Sequence, residues 1–206
     1  QQGEMAAVLG RNGAGKTTFI RCIANLIAHQ GSIVLEEDGK KLGRSPIAYL
    51  PQLEKITSSL TTFETILLGL TKTLSWKVSE AQLAKVSQVI RELKLDAFAN
   101  TPVRSLSGGQ KQLVFLAQSF VSEPRLLLLD EPTSALDVRH QLVVMETVHR
   151  YCKKRNAVAL YVIHDLMLAS RFSDAVLFLH NGMAHAFDTP DAVLNSETID
   201  PIYQIE

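Results

Sequence analysis

The run Gly10-Arg11-Asn12-Gly13-Ala14-Gly15-Lys16-Thr17 spaces glycine, lysine and a hydroxyl as G-x-x-x-x-G-K-[ST]. Each residue type answers a need of polyphosphate binding. Glycines let the backbone curl until successive N–H groups point inward at anionic oxygens. Lys16 can reach the terminal phosphates as a point charge. The Thr17 hydroxyl is a hard oxygen suited to Mg²⁺. A second candidate is Leu126-Leu127-Leu128-Leu129-Asp130-Glu131, an apolar strand that ends in two carboxylates. Ligand sites of open α/β sheets lie at such strand ends. There Asp130 would hold Mg²⁺ through water, and Glu131 would orient or deprotonate an attacking water. Taken alone, the pair is equally a strand followed by an acidic turn. A third candidate is Leu106-Ser107-Gly108-Gly109-Gln110. A serine and two glycines at a helix start expose backbone N–H groups and make an anion site. Taken alone, Ser107 and Gln110 are also the two ends of a capping box.

These residues need elements to position them. Met5 to Leu9 reads as a short apolar strand, and Lys16 to Ile27 as a helix whose positive end faces the glycine loop. Gly31 to Glu36 reads as a strand with Glu37-Asp38-Gly39 as its turn, and Ile47 to Leu50 as another strand, ended by Pro51 and Gln52. The pattern then turns helical. Thr61 to Leu70 carries a Thr61/Glu64 capping box, and Ser79 to Leu93 a Ser79/Gln82 box with the apolar stripe Leu83, Val86, Ile90 and Leu93. Ser107 to Val121 is a third helix. Strand and helix alternation returns with strand Arg125 to Asp130, helix Val138 to Arg155, strand Ala157 to Ile163 and short helix Asp165 to Phe172. Asn181-Gly182 predicts a hairpin between Ala175–Leu179 and Met183–Phe187, and Thr189-Pro190 a capped helix with proline at its first position. The organisation is an α/β core, residues 1–52 and 118–206, interrupted by a helical insertion. That insertion opens at Leu53 and runs through the Leu106–Gln110 turn to residue 117.

Composition narrows the function classes. The chain has 206 residues, enough for one domain with a substantial core. Formal net charge is zero, so no basic surface argues for nucleic acid. Cys22 and Cys152 fall in expected helices without metal-ligand spacing and read as free thiols of a reducing cytosol. No apolar run spans a bilayer and no signal peptide is visible, so service to a membrane would be as a docked subunit. His29, His140, His149, His180 and His185 lack metal spacing and read as surface or packing residues. Trp76 reads as a packing anchor, and Lys153-Lys154-Arg155 as the basic end of a helix.

In combination and order, the segments resemble the nucleotide-binding subunits of ATP-binding-cassette (ABC) transporters, over nearly the whole chain from Gly3 to about Glu206. GRNGAGKTT is similar to their Walker A, LLLLDE to their Walker B and LSGGQ to their signature sequence. Ser134-Ala135-Leu136-Asp137 resembles their D-loop, Gln52 their Q-loop glutamine and His164 their switch histidine. The resemblance implies an α/β phosphate-loop NTPase (RecA-like) core with a mostly parallel sheet, an antiparallel β portion and an inserted α-helical subdomain. It implies ATP and Mg²⁺ as cofactors. Gly10, Asn12, Gly13, Ala14, Gly15, Lys16, Thr17 and Thr18 would cradle the phosphates, and Thr17, Gln52 and Asp130 would serve the metal. Lys16, Gln52, Glu131 and His164 would carry hydrolysis. Two copies would face head to tail, with Ser107, Gly108, Gly109 and Gln110 of one capping the ATP of the other. Asp137 would link the two sites. The family's adenine-stacking aromatic residue would fall before Gln1, so these 206 residues are expected to bind nucleotide weakly and with poor base selectivity.

Two further segments, His164 to Phe172 and Asp188 to Leu194, look like the subclass serving importers of iron chelates and cobalamin. That implies uptake of an iron chelate, cobalamin or a metal through integral-membrane permease subunits at the cytoplasmic face of the membrane, with a substrate-binding protein as an indirect partner. Two other readings stay open: a non-transport cassette ATPase, as in metal-cluster assembly, and a phosphate-loop kinase of small molecules.

Overall fold

The structure is a computed structural model that describes residues 2–37, 39–42, 47–53, 58–73 and 78–203. The expected turn at Glu37–Gly39 falls partly on Asp38, which with Trp76 lies outside the described residues. The chain begins with β1 (Met5–Leu9) and α1 (Lys16–Ile23), then β2 (Leu35–Glu37), β3 (Lys40–Leu42) and β4 (Ile47–Leu50). A helical stretch follows: α2 (Thr62–Leu67) with a 3₁₀ continuation over Leu68–Thr73, α3 (Glu80–Glu92) and α4 (Gly108–Phe120). Alternation resumes with β5 (Leu126–Asp130), α5 (Val138–Arg155), β6 (Val158–Val162), α6 (Leu166–Phe172), β7 (Ala175–His180), β8 (Met183–Asp188), α7 (Pro190–Val193) and α8 (Ser196–Tyr203).

Six strands form one sheet in the order β4-β5-β6-β1-β7-β8. The first five run parallel and β8 returns antiparallel to β7. The turn between them is the expected Asn181-Gly182, both at positive φ, as the twist of a two-residue hairpin requires. β2 and β3 form a separate antiparallel pair.

The four leucines of β5 show why this strand is buried on both faces. Leu127 and Leu129 enter the larger core cluster with Met145 and Tyr161. Leu126 and Leu128 enter a second cluster with Val8, Ile20 and Val162. Alternate side chains of a strand point to opposite faces, so an unbroken apolar run is what two covered faces demand. The larger cluster continues into the helical stretch through Ile66, Val86, Ile90, Leu106 and Val114. The inserted helices therefore share a core with one face of the sheet.

All three expected capping boxes are present, at Thr61/Glu64, Ser79/Gln82 and Ser107/Gln110. Several boundaries differ from expectation. α1 stops at Ile23, four residues before Ile27, because Asn25 turns left-handed. Its N–H donates to the Cys22 carbonyl while that of Leu26 donates to Arg21, a Schellman closure that leaves Leu26 and Ile27 exposed. The expected strand from Gly31 is confined to Leu35–Glu37. The helix expected to reach Leu70 tightens to 3₁₀ after Leu67. Leu83, assigned to the apolar stripe of α3, is 39% exposed, whereas Val89 is buried. Pro190 does open α7, but the Thr189 hydroxyl makes no cap bond; the Asp188 carboxylate accepts the Thr189 N–H instead. Cys22 and Cys152 are both free thiols, and burial pushes Cys152 up to about 12.

Candidate functional site

Four parallel strands deliver the site from their carboxyl ends. β1 runs into the glycine loop, β4 into Gln52, β5 into Asp130 and Glu131, and β6 into His164. Parallel strands place their ends side by side, so residues far apart in sequence meet along one edge of the sheet.

In the loop, Gly10, Gly13 and Gly15 all have positive φ. At Gly10 there is a second constraint, since a Cβ there would overlap the Leu179 carbonyl oxygen at the end of β7. The Lys16 ammonium folds back to donate to the carbonyls of Gly10 (2.7 Å) and Arg11 (3.0 Å). Burial holds this lysine below the usual range, opposed by the carboxylates of Glu131 and then Asp130. The methyl of Ala14 is buried in the second core cluster, so of Ala14 only the backbone is available to a ligand.

The Thr17 hydroxyl donates to Asp130 Oδ1 at 2.9 Å. A hydroxyl beside a buried carboxylate is a hard-oxygen pair, and its chemistry fits Mg²⁺. Asp130 is held from its other oxygen as well: the Tyr49 hydroxyl donates to Oδ2 at 3.2 Å, and Arg21 Nε donates to that hydroxyl at 3.3 Å. Burial, first among the causes, raises the Tyr49 phenol above its ordinary range and keeps it a donor. Sequence reasoning missed Tyr49 and Arg21. The available signal was the single side-chain hydroxyl in the apolar strand Ile47-Ala48-Tyr49-Leu50.

Glu131 sits at φ 51°, a left-handed conformation that a non-glycine residue seldom adopts. The Ser134 N–H and hydroxyl both donate to its carbonyl, closing the turn that imposes this conformation. Its carboxylate is gripped at both oxygens. Gln52 Nε2 donates to Oε2 at 2.9 Å and His164 Nε2 contacts Oε1 at 2.8 Å. A carboxylate can only accept, so Nε2 of His164 carries the proton. An open cleft of about 500 Å³ lies in front, lined by Asn12, Gly13, Gly15, Lys16, Thr17, Thr18, Glu131 and His164.

Other expected residues lie elsewhere. Ser107, Gly108, Gly109 and Gln110 form the first turn of α4 and do not line this cleft. The Ser107 hydroxyl accepts the Gln110 N–H, and the Gln110 side chain accepts the Ser107 N–H. Asp137 is the N-cap of α5. Hydrogen bonds from the His140 backbone and then its ring hold the Asp137 carboxyl below the usual range.

A mostly parallel sheet with this loop at the end of β1 and paired carboxylates at the end of β5 is the arrangement of a phosphate-loop NTPase. Residues 1–134 match the ABC transporter family. An uncharacterized ABC transporter ATP-binding protein of Methanocaldococcus jannaschii is 35% identical over 100% of this chain and 83% of its own length. A hemin import ATP-binding protein of Plesiomonas shigelloides is 32% identical over 99% of this chain and 86% of its own. Among solved structures, an inward-facing metal-chelate type ABC transporter superposes with a TM-score of 0.89 at 26% identity, covering 100% of this chain and 79% of that one. The chain belongs to the ABC transporter ATP-binding family, whose members are ATPases. Such subunits serve membrane transporters, and no helix among the described residues is long and apolar enough to cross a membrane itself.

Proposed function

We propose that the chain hydrolyses ATP to drive uptake of a metal chelate, such as an iron chelate or cobalamin, through separate integral-membrane permease subunits at the cytoplasmic face of the membrane. The observation that carries the hydrolytic part is the Glu131 carboxylate, fixed by Gln52 and His164 at the mouth of the phosphate-loop cleft. The import part is supported by the hemin import relative and the metal-chelate type structural neighbour. The family membership does not favour a small-molecule kinase or a metal-cluster assembly ATPase.

In this reading Lys16 exchanges the carbonyls of Gly10 and Arg11 for phosphate oxygens, and the loop N–H groups from Gly10 to Thr18 complete the cradle. Thr17, Asp130 and Gln52 would hold Mg²⁺, with Tyr49 fixing the aspartate. When bound, that ion neutralises charge on the terminal phosphates. Glu131 acts as general base toward the attacking water; the His164 Nε2–H aims it before reaction and turns from it to the developing phosphate charge. The residues 1–52 and 118–206 form the ATP-binding body, and 53–117 carries the signature turn to the ATP of a second copy, arranged head to tail. Ser107, Gly108, Gly109 and Gln110 cap that nucleotide, and Asp137 lies between the sites. Their position outside their own cleft supports this division. A substrate-binding protein would deliver cargo on the other side of the permease.

The test is a pull-down from membranes together with phosphate release. Mg²⁺-dependent release from ATP without any acceptor, and retention of an integral permease whose reconstituted complex takes up hemin, is the expected result. Retention of an assembly scaffold, or phosphorylation of a small acceptor, would overturn it.

A further inference from the structure

We propose that His140 is a positioning residue that joins the signature turn to the Asp137 loop as one rigid unit, and that Gly109 is a glycine because this ring occupies the space of its side chain. His140 stands one turn into α5. Its N–H and its ring Nδ1 each lie 2.8 Å from Asp137 Oδ1, and Nδ1 is 2.8 Å from Oδ2 as well. The carboxylate only accepts, so Nδ1 carries a proton and the ring is held in one orientation.

The far side of that ring lies on the first turn of α4. A Cβ built on Gly109 would overlap His140 Cδ2 and lie 2.7 Å from Cγ and 3.0 Å from Nε2. Gly109 is not at positive φ, so its backbone does not require glycine. Alanine is in fact the better helix former. The neighbouring Gly108 differs, since a Cβ there would meet only Leu136 Cδ2, at an ordinary 3.5 Å. Within one chain, therefore, a larger residue at the second glycine of the turn must displace the His140 ring from Asp137, and one at the first need displace nothing. Ring, carboxylate and helix start form a continuous stack. A shift of Asp137 moves the ring, and the ring moves the turn that presents Ser107. This inference rests on the proposed reading that the turn completes a second copy's ATP site.

The experiment is a double-mutant cycle on the full chain, Gly109→Ala, His140→Ala and both together. Its readouts are kcat, KM for MgATP, nucleotide binding to the single chain and thermal midpoint. Gly109→Ala should lower kcat while single-chain nucleotide binding is unchanged. Adding His140→Ala should restore kcat by about tenfold, within the coupling typical of side chains in contact. His140→Asn, which keeps an N–H in reach of Asp137, should retain more turnover than His140→Ala. No gain in the double variant, or an effect confined to the thermal midpoint, overturns the proposal. Ser107→Arg is measured beside it. If that variant turns over normally, the two-copy reading itself has failed; if it is inactive and the cycle shows no coupling, only the role of His140 has.

Discussion

At the phosphate loop, four strand ends bring together groups from across the sequence, and all but Lys16 bond to one another. Lys16 bonds its own loop carbonyls, Thr17 bonds Asp130, and Glu131 bonds Gln52 and His164. At the Leu106–Gln110 turn the polar partners are three residues apart and satisfy each other. The first region holds charged groups in exchangeable pairs, each with an obvious substitute in a phosphate, an ion or a water. The second is a shape completed by local bonding and backed by His140. A polar group already satisfied within its own turn gains less from a ligand than one whose partner is a stand-in. The cleft is thus where chemistry is expected, and the turn is where geometry is expected.

The largest expected effect breaks the comparison on the chemical side. Glu131→Gln keeps the size and one acceptor oxygen but removes the base, so turnover should fall by about 10²–10⁴. ATP binding should persist and trap a dimer, visible as nucleotide-dependent doubling of mass in solution. Hydrolysis at the original rate would show that Glu131 is not the base. Next in size is the geometric side. Ser107→Arg places a long cation where the turn must meet a nucleotide, and turnover should fall by about 10²–10³, comparable to loss of one oxyanion donor. Binding of a fluorescent ATP analogue to the single chain should be unaffected. If binding is lost instead, the turn belongs to its own chain's site and the contrast between the regions collapses.

How far each region could be read in advance follows the same division. The glycine loop, the leucine strand and the three capping boxes depend on spacings of a few residues, and each appeared where the spacing placed it. The grip of Gln52 and His164 on Glu131 depends on strand order β4-β5-β6, which no local spacing encodes. The contacts of Tyr49 and His140 are illegible in the sequence for the same reason, since they are made to Asp130 in the next strand and Gly109 in another helix. The end of α1 was misread because Leu26 and Ile27 continue an apolar pattern that Asn25 breaks through its backbone. Leu83 departs from the expected stripe because the helical period predicts a face only approximately, and the face buried here runs through Val86, Val89 and Ile90.

The smallest expected effect belongs to a contact that lies in neither region. Glu92, in the last turn of α3, accepts from Lys154 of α5 at 2.8 Å and from Gln88 at 2.9 Å. These bonds, Lys154 first, hold its carboxyl below the ordinary value of 4.5. A carboxyl depressed in the folded state stabilises the fold fully above its unfolded pKa, and loses that contribution as pH falls through the folded value. Both side chains are partly exposed, so solvent screens the pair, and Glu92→Gln should cost less than about 1 kcal/mol at neutral pH. Urea unfolding of the two proteins should converge as pH is lowered below 4.5. Turnover at neutral pH should be equal, because this strut holds the helical stretch to α5 without touching the cleft or the turn. A divergence that grows in acid would remove the ion pair as its cause. A loss of turnover with unchanged stability would make the strut part of the coupling between the regions, and would move the boundary drawn here between chemistry and geometry.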